Sequence, residues 1–230
     1  MQNRVFRIPN GQVMQKRIIR KIGLTGGIAS GKSSVSKMLA QQLHCVHIDA
    51  DEVCRRLLEP QGEGWQELTR VFGSDYLTTD GRINRPLLRK DLFGDDDFRN
   101  KVNAIIHPLV KKYIIAQMDR ILGSTPDIRV LVEVPLLFEV KWENLFDAII
   151  VVFADYEKCL HRLMNRDGIE MAAAIKELES QLSLREKVMR ADHVIDNSGS
   201  ISDTSNQVHH LAVHLKNNTE PKEKKLDSTK

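Results

Sequence analysis

The chain has 230 residues, 41% hydrophobic and 28% charged, enough apolar material for one large domain or a core with a small insertion. The formal charge of +3 is uneven: residues 1–21 hold six Lys/Arg and no acid, residues 216–230 hold five Lys against three acids, and the body between is left at −5, so no nucleic-acid partner is expected. No apolar run approaches the ~18 residues of a membrane span, and three scattered cysteines without a CxxC pair speak against a disulfide framework and fit a reducing cytoplasm.

Residues 1–17, with breakers at Pro9, Asn10 and Gly11 and a second Met at 14, read as an N-terminal extension. A strand is expected over 18–24, then a Gly-rich loop and a helix over 33–43 with Val35, Met38, Leu39 and Leu43 at helical spacing. Residues 45–49 read as a short strand and 51–58 as a helix. Residues 61–125 lack a buried-strand pattern and read as a helical insertion. It has a turn at Asp80–Gly81 and separate helical segments, the last opening on Pro108 as a first-turn proline. Continuous β-branched runs at 129–138 and 148–154 indicate a parallel sheet covered on both faces. A helix over 157–166, one longer helix over 172–191, a strand over 193–199 and a closing helix over 203–215 follow. The Lys-rich residues 216–230 are expected to be a disordered basic tail. This order gives an α/β fold, a doubly wound and mainly parallel sheet flanked by helices. Its core spans 18–60 and 126–215.

Gly26-Gly27-Ile28-Ala29-Ser30-Gly31-Lys32-Ser33 fits GxxxxGK[ST], between a strand and an amphipathic helix. Glycines let successive N–H groups point at phosphate oxygens, and the helix start, with Ser34 in its first turn, adds its free N–H groups and positive dipole end. Lys32 is placed to reach the β- and γ-phosphates of ATP, and the Ser33 hydroxyl to ligate Mg²⁺. No NKxD guanine clamp is present; Asn100-Lys101-Val102-Asn103 lacks the final Asp. That weighs against a nucleotide-binding regulatory protein and favours a small-molecule kinase.

Asp49 and Asp51 close the next strand. Alternate residues of an extended chain share a side, so both carboxylates are placed to face one cleft, one as base toward an acceptor hydroxyl and the other toward Mg²⁺-bound water. The competing role for one of them is a helix cap. Arg162 and Arg166 lie i and i+4 on one helix face and suit a phosphate-gripping lid over about 162–187.

The blocks GLTGGIASGKSSV, HIDADEV, IIHPLV, VEVPLLFE, HRLMNRD and ADHVIDNSG resemble, in order and spacing, the dephospho-coenzyme A kinase family across about residues 18–215. The resemblance implies transfer of the γ-phosphate of ATP to the ribose 3′-hydroxyl of dephospho-CoA. Asp51 then matches the family's catalytic acid, with Asp49 its motif neighbour. His107-Pro108 matches the acceptor-binding helical part, where His107 either bonds the acceptor or packs and caps. Glu133 is placed in the metal's outer shell, and Pro135 and Leu136 either shape the acceptor wall or form a rigid turn in the core. Asn197 lies in the turn near the adenine, reading the base or serving the turn alone. Gln181, Glu186 and Lys187 match the lid-side helix. Ala29 stands where relatives often carry Gly, with only a mild loss of backbone freedom expected. A monomer or weak homo-oligomer is expected. The rivals are another P-loop kinase of nucleosides or nucleotides and the regulatory protein weighed above.

Overall fold

A computed structural model describes residues 6–7, 13–14, 19–125 and 127–217. The expected extension over 1–17 and tail over 216–230 lie largely outside these residues. Within the first, β1 (Phe6–Arg7) and β2 (Val13–Met14) pair antiparallel. The main sheet has five strands: β3 (Lys21–Gly26), β4 (Val46–Asp49), β5 (Val130–Glu133), β6 (Ala148–Phe153) and β7 (His193–Asp196). They run in the order β4-β5-β3-β6-β7, every neighbouring pair parallel. The expected α/β sheet is thus present. Its first strand lies three residues later than predicted, and β5 stops at Glu133, where turns replace the predicted continuation to 138.

Strand side chains alternate between the two faces. Ile22, Leu24, Leu131, Ile150 and Val152 pack under α1 (Lys32–Leu43) and α9 (Ile201–Asn217), meeting Val35, Leu39, Val208 and Ala212. Val130, Val132, Ile149 and Val151 face the other way and join the core of residues 61–125. A sheet covered on both faces needs apolar residues at every position, which explains the continuous runs. Gly23 is required in the central strand by close approach. A β-carbon there would lie 2.8 Å from the Phe146 ring and 2.9 Å from Leu137.

The chain leaves β4 through α2 (Ala50–Leu57) and then builds α3 (Glu63–Phe72), α4 (Arg85–Gly94) and α5 (Asp96–Ser124) before returning in β5. Where separate helical segments were expected across Pro108, one 29-residue helix runs through it. Proline removes the N–H that the Ala104 carbonyl would accept, at a cost of ~3 kcal/mol. Ala104 and Pro108 are both exposed, so the lost rung falls on the solvent side of the helix. The opposite face buries Val102, Ile106, Val110, Ile114 and Met118 in an i, i+4 row, and at about 1.5–3 kcal/mol per buried side chain this outweighs the lost rung. The row shares one core with β5, so the insertion is fused to the sheet. No helix among the described residues is long and apolar enough to cross a membrane.

After β6 come α6 (Tyr156–Asp167), α7 (Met171–Glu179) and α8 (Leu184–Arg190). The single helix expected over 172–191 is two. Ser183 opens α8 with a reciprocal capping box to Glu186, satisfying backbone donors that a continuous helix would have paired internally. From α4, Arg89 reaches across to Asp167 and Glu177 at 3.2 and 3.1 Å, tying the insertion to the ends of α6 and α7.

Candidate active site

The turn from β3 into α1 forms a cavity of about 240 Å³ lined by Ala29, Gly31, Lys32, Ser33, Ser34, Arg162 and Arg166. Its walls are cationic side chains, hydroxyls and helix-terminal N–H groups, the chemistry of an anion site. Gly31 sits at φ +91°, and a β-carbon would fall 2.1 Å from Asn197 Nδ2. Ala29 has φ +57°. That corrects the expected mild restriction, because a left-handed residue with a β-carbon carries about 1–2 kcal/mol of steric cost.

Lys32 donates to the Gly27 carbonyl at 2.6 Å. Burial, then the nearby Lys187 charge, bring its pKa down to about 8. Ser33 donates to Glu133 Oε1 at 2.8 Å and Ser36 to Oε2 at 2.7 Å. His47 Nε2 lies 3.5 Å from Oε2, outside good hydrogen-bond geometry, so the serines are the firmer partners. Burial pushes the Glu133 carboxyl up, but the donors around it outweigh burial, and it titrates below the ordinary glutamate range. Glu133 is only 3% exposed. Its carboxylate therefore lies behind the Ser33 hydroxyl, which lines the cavity.

Asp49 and Asp51 part ways. Asp49 accepts the backbone N–H groups of Asp51 and Glu52 at 2.8 and 3.3 Å, capping α2. This is the capping role that the sequence offered as the alternative for one of the two carboxylates. Asp51 instead borders a second cavity of about 180 Å³, with His107, Asn103, Pro135, Leu136, Leu92 and Trp142 among its walls. Its carboxyl is held above the usual aspartate range, first by desolvation and then by Asp49, with Lys32 pulling the other way. Burial alone lowers the His107 imidazole below its usual pKa.

Arg162 donates to the Asn197 carbonyl at 3.1 Å, while its Nη1 is buried without a partner among the described residues. Arg166 is held by Asp167, at 2.7 Å through Nε. Asn197 donates from Nδ2 to the Ser30 carbonyl at 2.8 Å and accepts from Thr204 at 2.9 Å. Its amide thus ties the turn after β7 to the phosphate loop on one side and to α9 on the other.

Sequence reasoning missed Ser36, whose signal was its i+3 spacing from Ser33 on one helix face. It also left Lys187 without a role. That side chain is 0% exposed. It forms an ion pair with Glu139 at 2.8 Å and donates to the carbonyls of Pro135 at 3.2 Å and Gly26 at 3.4 Å. A third cavity, of about 790 Å³, lies between Gly27–Ile28, the end of β6 and the α7–α8 turn.

The family model for dephospho-CoA kinase matches residues 20–203. A dephospho-CoA kinase of Carboxydothermus hydrogenoformans is 45% identical over 187 residues, 81% of this chain and 90% of that one. One from Listeria monocytogenes is 40% identical over 190 residues, 83% and 94% of the two chains. Among solved structures, TT1252 from Thermus thermophilus superposes with a TM-score of 0.70 at 28% identity, covering 86% of this chain and 99% of that one. A dephospho-CoA kinase from Campylobacter jejuni gives 0.58 at 27% identity, covering 85% and 97%.

Proposed function

The chain belongs to the dephospho-CoA kinase family, and from that premise we propose how its own residues move the γ-phosphoryl group of ATP to the ribose 3′-hydroxyl of dephospho-CoA. The observation that carries the assignment is a cationic phosphate cavity on one side of the strand ends and, on the other, an apolar cavity bordered by Asp51.

The main chain of 26–33 and the start of α1 hold the ATP phosphates. Lys32 leaves its Gly27 carbonyl to meet the β- and γ-phosphates. Arg162 offers its unpartnered Nη1 to the same anion, and Arg166 closes from α6. The acceptor's nucleoside end enters the cavity walled by Pro135, Leu136 and His107. Asp51 takes the proton of the 3′-hydroxyl as that oxygen bonds to the γ-phosphorus. The bond from phosphorus to the β–γ bridging oxygen breaks, and ADP departs with those electrons. Its raised pKa makes Asp51 a better base than an ordinary aspartate. Little covalent chemistry falls to the protein, so positioning and charge stabilisation carry the rate.

Mg²⁺ fits the donor set. The one hydroxyl proton of Ser33 goes to Glu133, which leaves the oxygen lone pairs for a hard cation. Mg²⁺ commonly keeps several waters and takes its other ligands from substrate phosphates. When bound, it neutralises charge on the β- and γ-phosphates. The segment α6–α8 acts as a lid that excludes water from the transfer.

Coupled ADP release tests the assignment. Release that depends on dephospho-CoA, and not on nucleosides or nucleoside monophosphates, is the expected result. Release driven equally by a nucleoside would move the enzyme to a different acceptor class.

A further inference from the structure

We propose that Lys187 is a positioning residue: its ammonium holds the phosphate loop, the acceptor wall and the lid's return helix in one register. The inference rests on the phosphotransfer assignment above. Lys187 lines neither the phosphate cavity nor the acceptor cavity, so it acts through its neighbours. An ammonium has three donors, and here three acceptors from three segments surround it. Gly26 O ends β3 and begins the phosphate loop. Pro135 O belongs to the acceptor wall. Glu139 Oε1 also accepts the Leu182 backbone N–H at 3.1 Å, at the turn between α7 and α8. The Thr25 hydroxyl reaches the same Pro135 carbonyl at 3.1 Å, so β3 and the acceptor wall are cross-tied twice.

Stability alone does not account for such a group. Withdrawing an ammonium from water costs several kcal/mol, and a well-packed apolar pair of similar volume is often as stable or more so. What an apolar pair lacks is direction. It would remove the one donor that the Gly26 and Pro135 carbonyls share and leave Thr25 alone on Pro135, which loosens their mutual register. In-line transfer is sensitive to such loosening, since a 1 Å misplacement costs up to about a hundredfold in rate. The contact to Leu182 through Glu139 adds the lid, so the register is set by the same segment that covers the reaction.

The test is the double variant Lys187→Met/Glu139→Gln. Methionine keeps the length, glutamine keeps an acceptor for Leu182, and no buried charge is stranded. Thermal unfolding, ATP binding by calorimetry and steady-state kinetics with dephospho-CoA are read together. We expect kcat to fall about tenfold or more, with ATP affinity within about twofold of wild type. Lys187→Gln in the same Glu139→Gln background restores one donor and is expected to recover part of kcat at similar melting temperature. It also carries the test if the methionine version does not fold. A kcat equal to wild type in whichever of these variants folds overturns the role. So does equal activity of the Met and Gln versions. A wild-type enzyme without acceptor-dependent ADP release would instead sink the functional assignment, which keeps the two failures apart.

Discussion

Around the phosphate loop most polar side chains already have partners: Lys32 on Gly27, Ser33 and Ser36 on Glu133, Asn197 between Ser30 and Thr204. The acceptor cavity is the reverse. Leu58, Leu92, Val102, Val110 and Val140 supply apolar wall, with Asp51, Asn103 and His107 its few polar members. An anion is held by a main-chain cradle assembled in advance, which is generic to the phosphate and indifferent to what carries it. In the mechanism proposed above, the acceptor is chosen by side chains brought from positions 50 to 142, and specificity resides there.

This contrast can be broken most sharply at Asp51. Asp51→Asn keeps the cradle intact and removes the base, so kcat should fall by about 10²–10⁴-fold with ATP affinity nearly unchanged. Single-turnover kinetics beside a binding isotherm measure both, and comparable losses in the two would mean that donor and acceptor sides are not separable. A smaller effect belongs to Lys32. Only the protonated amine attracts phosphate, and its pKa is near 8. ATP affinity of the free enzyme should therefore be fullest below pH 8 and weaken by about tenfold per unit well above it. Titrations from pH 6.5 to about 10 read this directly, and a flat profile would remove the amine from phosphate recognition. The smallest effect is Ala29→Gly. Relieving the left-handed alanine at φ +57° should raise stability by about 0.5–1 kcal/mol, part of the steric gain being offset by glycine's larger chain entropy. Denaturant unfolding of the two proteins decides it, and a loss of stability would show that the cradle carries no such strain.

The cradle was legible because its residues are consecutive: one loop, one glycine pattern, one helix start. The sheet was legible for a similar reason, since burial on both faces leaves unbroken β-branched runs. What escaped depends on context that the chain does not write locally. Pro108 reads as a boundary, yet the helix passes through it because the lost rung falls on the exposed side while the opposite face is buried. Asp49 and Asp51 both read as site carboxylates with a cap as the alternative for one, and which of them caps is decided by the strand ending and the helix beginning between them. The break between α7 and α8 did carry a signal: Ser183 and Glu186 stand at capping-box spacing. Lys187 carried almost none. Leu184 and Val188 mark a half-buried stripe beside it, but nothing local shows that the Gly26 and Pro135 carbonyls converge on its tip.

Arg89 joins the insertion to both Asp167 and Glu177 while remaining more than half exposed. Contacts of that kind are each worth roughly 0.2–1 kcal/mol, little more than the thermal quantum of about 0.6 kcal/mol. Such a latch clicks shut without locking. If the insertion and the α6–α8 segment cover the reaction as proposed, they share one catch, so a bound substrate closes them in concert and the finished coenzyme leaves without the enzyme first having to break a strong bond of its own.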